Sequence, residues 1–227
     1  MIYNVGEHGK EEVNVVTKSE LSKNTEQKII AVAKELFAKN GFEGASIREI
    51  CKQAGVNISL ISYYFGGKKE LYEKIVANIV EKIINYMKLN MKFDELPTSF
   101  DYLSKQEKIK FLFKALNFII DYFSSDKISD SELMIFYREQ ITSGVPLNAM
   151  GYNIFRKLLA SILEKDENDK EVIFRCITII GQIHSARVLK QFSLKMMNQE
   201  KYSQEDTLQF KDIVISQTKA ILKDIGV

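Results

Sequence analysis

An all-α chain is what this sequence predicts: an N-terminal three-helix helix-turn-helix unit followed by a larger helical part, about nine helices together. Three observations carry the expectation. Only two prolines occur in 227 residues, so little interrupts long helices. Apolar residues recur three and four apart through most of the chain after Asn24. Ser46 with Glu49 and Ser104 with Glu107 form the Ser-x-x-Glu signature of a helix start. With 45% hydrophobic and 27% charged residues, the chain has enough apolar surface to bury a real core.

Residues 1–24 read as a polar, mobile arm, with Glu7, Glu11, Glu12 and Glu20 set against Lys10, Lys18 and Lys23. They lack the basic start and apolar run of a signal peptide, and no stretch approaches eighteen unbroken apolar residues. A cytoplasmic protein with no membrane partner is expected. The first helix opens at Asn24, with Gln27 three residues on, and carries Ile29, Val32, Ala33, Leu36 and Phe37 before Gly41 stops it. A second runs from Ser46 to Gly55, and a third, capped by Asn57 or Ser59, runs to Phe65 before Gly66 and Gly67.

The fourth helix places Leu71, Ile75, Ile79 and Ile83 every four residues. A loop around Pro97 follows, then a fifth helix capped by Ser104 and carrying Ile109, Leu112, Leu116, Ile119 and Phe123. Asp130 opens a sixth to Thr142, closed by Gly144 and Pro146; a seventh spans residues 147–164. The eighth, residues 169–198, is apolar on more than one side and needs cover on several faces; the ninth runs over residues 203–225. The expected domains are 25–71 and 72–227.

Several chemistries find no support. Cys51 and Cys176 are too few and too far apart for a disulfide framework, and with His8 and His184 as the two histidines no zinc-ligand spacing appears. No paired carboxylates, nucleophile elbow or phosphate loop stands out, so neither an enzyme, a metal nor a cofactor is expected. A helical enzyme or lipid carrier, or a protein–protein adaptor using exposed tyrosines, are the rival classes.

Two short helices joined by a glycine turn behind a first helix form a helix-turn-helix, whose later helix enters the DNA major groove. The net charge of +2 for the whole chain gives no broad electrostatic footprint, so any nucleic-acid contact must come from placement. Lys68 and Lys69 open the fourth helix, where the dipole disfavours cations and a phosphate would explain them. In the uncharged segment ISLISYYF, Ile61 and Phe65 share one face suited to the core. Ser59, Leu60, Ser62, Tyr63 and Tyr64 lie opposite, small or hydroxyl-bearing enough for base edges and phosphates.

The stretch from Thr25 to Leu71, and especially the run AKELFAKNGFEGASIREICKQAGVNISLISYYFGGKKELY from Ala33 to Tyr72, resembles the DNA-binding domain of TetR-type transcriptional regulators. The resemblance implies that Ser46 and Arg48 approach the phosphate backbone, that Ile58, Ser59, Leu60, Ser62 and Tyr63 face the major groove, and that Tyr64 and Lys68 anchor flanking phosphates. Many members carry tyrosine where this chain has Ser62, which weakens any transfer of base preference. NISLISYYFGGK, YREQITSG and IIGQIHSAR look like the CecR branch.

That family's organisation implies a homodimer, paired through the last two helices, on a palindromic double-stranded operator. A small, partly apolar effector would release it as a repressor, the change passing through the fourth helix; an activator of the same fold is the alternative. Candidate effector contacts are Phe113, Tyr122, Phe123, Phe136, Tyr137 and Phe155, with Arg138, Gln182, His184 and Arg187 as polar groups on apolar helices.

Overall fold

The computed structural model describes residues 18–91, 99–125, 127–142 and 149–224, and among them the chain forms ten α-helices and no strand. The expectations for residues 1–17, Pro97, Gly144, Pro146 and Ile225 lie outside the described residues. Two compact units emerge, residues 1–74 and 75–227.

In the first unit, α1 (Lys18–Gly44), α2 (Ile47–Ala54), α3 (Ile58–Phe65) and the opening turns of α4 (Lys68–Met91) enclose Ile29, Ala33, Phe37, Ile50, Ala54, Ile61 and Leu71. Helix α1 begins six residues before Asn24, so Asn24 is an interior helical residue and not the expected cap. Lys18, Glu20, Leu21 and Lys23 ahead of it favour helix, and local propensity overrode the capping signal. Gly41 does break the helical path, at φ 75°. Phe37 and Phe42 pack on Tyr72 with ring centroids 4.9 and 5.2 Å away, which fixes the start of α4.

Ser46 caps α2 by accepting a hydrogen bond from the Glu49 N–H at 3.1 Å. The return half of the expected capping box is replaced: the Glu49 carboxylate accepts from Gln53 Nε2 at 2.6 Å. Gly55, at φ 64° and ψ 41°, then reverses the chain, and the Val56 N–H closes on the Cys51 carbonyl at 3.0 Å. Asn57 sits at the N-cap of α3, yet its side chain makes no capping bond.

The second unit is built on α5 (Lys105–Ser124), α7 (Ala149–Leu163), α8 (Lys170–Val188) and α10 (Gln204–Asp224), which pack around Leu112, Leu116, Leu158, Leu159, Ile162, Cys176, Ile179 and Ile183. Ser104 and Glu107 form a complete capping box on α5. Two further reciprocal caps were not anticipated: Ser129 with Glu132 before α6 (Asp130–Thr142), and Ser203 with Asp206 before α10. The α5 and α10 surfaces are joined by Lys211 and Asp121, 2.9 Å apart.

The expected eighth helix is two. It breaks at Leu189 into α8 and α9 (Lys190–Met197), whose axes differ by 64°. No glycine or proline marks the site. The physical reason lies across the turn: the Tyr202 hydroxyl donates to the Ala186 carbonyl at 3.1 Å and also bonds Ser193. In an unbroken helix that carbonyl would accept from residue 190. One side of α8 enters the core through Val172, Cys176, Ile179 and Ile183, whereas Phe174, Ile177 and Val188 remain exposed.

Candidate functional site

Helix α3 is sorted into stripes by its four-residue spacing. Ile61 is completely buried and Phe65 half-buried; burial of a side chain like Ile61 contributes roughly 1.5–3 kcal/mol. Ile58, Ser59, Ser62 and Tyr63 share the outward side, with Ile58 51% and Tyr63 77% exposed. Leu60 and Tyr64 flank that face and are half-buried. The outer stripe has no charge, and its bulk is supplied by Ile58 and by Tyr63, whose ring stands edge-on to Tyr64 at 5.0 Å.

Around this face the first unit holds its polar groups in place. The Tyr64 hydroxyl lies 3.2 Å from Ser22 Oγ on α1. Lys68 Nζ sits over the Phe42 ring, 4.5 Å from the centroid, and donates to the Glu43 carbonyl at 3.4 Å. An ammonium has three donors, so this bond fixes its position without exhausting it. Ser46 keeps its hydroxyl proton while its oxygen accepts from Glu49, and Arg48 is exposed on α2. Ser22 and Phe42 carry no local signal as supports, because they come from α1, far along the chain from the residues they hold.

The second unit contains a cavity of about 320 Å³. It is lined from α4, α5, α6, α7 and α8, and Tyr122, Phe123, Phe136, Phe155 and His184 of the expected set reach it. Tyr137, Arg138, Arg187 and again His184 line a broader open groove between α6 and α8. Phe113 and Gln182 line neither. Phe113 packs against the α5–α7–α8–α10 core, and Gln182 Nε2 donates to the Thr178 carbonyl at 3.4 Å. Met87, Phe111, Phe118, Gln140 and Tyr152 also line the cavity, and nothing in their spacing distinguished them from core residues.

Arg187 is committed within the chain: it pairs with Asp130 at 3.1 Å and donates to the Ile128 carbonyl at 3.2 Å. His184 Nδ1 meets the Tyr137 hydroxyl at 2.8 Å, and its ring stacks on Phe136 and tilts against Phe123. Burial pushes the imidazole down to about 4, so it is neutral at pH 7. The Tyr137 phenol is raised by burial.

Tyr122 is different. Its hydroxyl is buried and has no hydrogen-bond partner among the described residues. Leaving such a group unsatisfied costs about 1–3 kcal/mol. Burial, together with the nearby Glu132 carboxylate and Tyr86, pushes the phenol up to about 12, so it stays protonated. Glu132 is itself held by Lys82 at 2.9 Å and by the Ser129 N–H at 2.8 Å.

Short helices meeting at a glycine turn, an exposed second helix and a separate all-helical unit define the class: a helix-turn-helix transcriptional regulator. Residues 29–75 match the family described as bacterial regulatory proteins, tetR family, and residues 151–225 match the C-terminal domain of the HTH-type transcriptional dual regulator CecR. Together the two matches support a TetR family regulator of CecR-like type.

Individual relatives differ in extent. A probable HTH-type transcriptional regulator YttP of Bacillus subtilis is 50% identical over 58 residues, 26% of this chain and 28% of that protein. The dual regulator CecR of Shigella flexneri is 24% identical over 88% of this chain and 92% of its own length. The crystal structure of a TetR-like transcriptional regulator from Rhodococcus sp. RHA1 superposes with a TM-score of 0.57, covering 86% of this chain and 96% of that one at 16% identity. At that identity the likeness is one of fold.

Proposed function

We propose that this chain is a sequence-specific DNA-binding repressor, acting as a homodimer on a palindromic operator and released by a small, partly apolar effector. The observation that carries the reading is α3: one side is anchored by Ile61, and the other offers Ile58, Ser59, Ser62 and Tyr63 as an uncharged, accessible surface. Uncharged side chains suit base edges, where Ile58 and Leu60 can meet a thymine methyl and the two serines can donate or accept. Ser46, Arg48, Tyr64 and Lys68 supply phosphate contacts at its margins. Residues 25–71 are the DNA-binding domain in this reading, and residues 72–227 bind effector and partner.

Dimerisation is supported by apolar side chains on the last helices. Phe174, Ile177 and Val188 on α8, with Leu208 and Ile213 on α10, are each about half exposed or more. Pairing two such surfaces about a two-fold axis removes them from water and sets two recognition helices for successive half-sites.

The test is DNA selection with the full chain, followed by fluorescence anisotropy across a salt series. Replacing Arg48 by alanine weakens binding and lowers the salt slope by about one unit, whereas Tyr63→Ala relaxes discrimination between selected and scrambled duplexes. Failure to enrich any sequence, with affinity indifferent to salt, rejects the reading. A promoter–reporter fusion gives the sign of regulation, since an activator would use the same α3 face.

A further inference from the structure

The open groove between α6 and α8 differs in charge from the cavity it adjoins. None of the cavity's described lining residues is aspartate, glutamate, lysine or arginine. The groove, of about 870 Å³, is lined by Arg138, Arg187 and Lys190, and Asp130 is the single acid among its described lining residues. Arg187 pairs with Asp130 while His184 meets Tyr137, so α6 and α8 run antiparallel along the groove. Charge therefore gathers at one end, where α6 begins and α8 gives way to α9.

At that end two cations share one carboxylate. Asp130 Oδ1 takes Arg187 at 3.1 Å, and Oδ2 lies 3.4 Å from Lys190 Nζ. The Asp130 side chain is 68% exposed, whereas those of Arg187 and Lys190 are 9% and 24% exposed. Two cations largely withdrawn from water thus depend on a carboxylate that stays mostly in it, and one positive charge is left uncompensated. Their hydrogen bonding is incomplete as well. Arg187 Nε is buried with no partner among the described residues, and the three donors of the Lys190 ammonium meet Asp130 through one long contact. A second anion placed on Lys190 completes the pairing while Arg187 keeps Asp130.

Beyond the charged end the α6 wall is largely apolar. Leu133, Met134 and Ile141 line it, with Met134 51% and Ile141 82% exposed. From Asp130 to Ile141 the helix rises roughly 16 Å, room for a hydrocarbon chain of about ten carbons. Midway, His184 and Tyr137 satisfy each other, and Arg138 has interactions of its own within the chain. Ile177 and Val188 belong to the surface assigned above to dimerisation; the α6 wall serves without them.

We propose that this groove binds amphipathic carboxylates, with the head group on Lys190 beside Arg187 and Asp130 and the hydrocarbon along Met134 and Ile141. Asp130, Arg187 and Lys190 lie outside the lining of the cavity, and the site stands whether or not its occupant releases DNA.

Isothermal titration of the full chain with three ten-carbon probes tests it: decanoate, decan-1-ol and decyltrimethylammonium, each below its micellar concentration. Decanoate binds at least tenfold more tightly than the alcohol, and the cation binds more weakly than either. Two substitutions then move decanoate in opposite directions. Lys190→Gln removes its advantage over the alcohol and leaves the alcohol's own affinity in place, whereas Lys190→Arg retains the advantage. Asp130→Asn deletes the competing carboxylate and tightens decanoate at least threefold. Circular dichroism checks that each variant keeps its helices.

Equal affinity for decanoate and the alcohol overturns the proposal, as does no binding of any probe or preference for the cation. A decanoate advantage that survives Lys190→Gln, or that falls in Asp130→Asn, overturns it too, because a chain held in the inner cavity would not respond to these head-group positions. Vesicles of phosphatidylglycerol separate a free amphiphile from a lipid surface: they do not carry the protein down on sedimentation, and sedimentation abolished by Lys190→Gln would make the groove a membrane contact and defeat the proposal.

Discussion

Helix α3 and the cavity of the second unit use their residues in opposite ways. On α3 the side chain that holds the helix, Ile61, is distinct from those that face outward, Ile58, Ser59, Ser62 and Tyr63. Around the cavity the same side chains do both jobs: Tyr122, Phe123, Phe136, Phe155 and His184 line the space and also pack the helices together. A surface used for recognition can be altered without touching the core. A cavity cannot, because its wall is the core.

The largest test of that contrast lies within a single helix. Ile61→Ala leaves a hole under α3 and costs about 2–5 kcal/mol, seen as earlier urea unfolding of the first unit, whereas Tyr63→Ala two residues on stays within about 0.5 kcal/mol. If both substitutions cost the same, the separation of anchoring and reading residues fails.

Next in size is a pH effect confined to the second unit. The His184 imidazole has its folded pKa depressed to about 4, so between about pH 6.5 and 4 the unfolded chain binds a proton that the folded chain refuses. The stability contributed by keeping His184 neutral is therefore present above pH 6.5 and lost as pH falls, by roughly 2–3 kcal/mol. Subtracting the profile of His184→Gln from that of the parent chain isolates this loss from the carboxylates that titrate in the same range. A flat difference would mean that His184 is not part of the packed wall.

Smaller effects sharpen the comparison. Ser104→Ala, at the exposed cap of α5, lowers stability by about 1 kcal/mol without altering DNA affinity. Tyr122→Phe moves thermal stability upward or not at all, because the hydroxyl it deletes has no partner among the described residues. A marked fall in melting temperature would show that the hydroxyl is satisfied and would remove the contrast with His184.

The same difference explains what the sequence made legible. The front unit is read by local rules: Gly41, Gly55 and Gly66 at positive φ punctuate it, and the stripes of α3 follow from spacing within eight residues. Ser22 and Phe42, which position Tyr64 and Lys68, could not be found that way because their contacts span 42 and 26 positions. Cavity residues come from five helices, and an aromatic at helical spacing looks the same whether it faces a void or a neighbour. Phe113 and Phe111 show this: two residues apart on α5, only Phe111 reaches the cavity. The break at Leu189 was hidden for a related reason, since the competing hydroxyl of Tyr202 lies beyond the next turn.

The anchoring of α3 by so few buried residues has an evolutionary corollary. Substitutions at Ile58, Ser59, Ser62 and Tyr63 encounter solvent and not the packed interior, so selection on folding leaves them almost unconstrained. Descendants of such a gene can therefore explore new recognition surfaces in single steps that leave the packed interior intact.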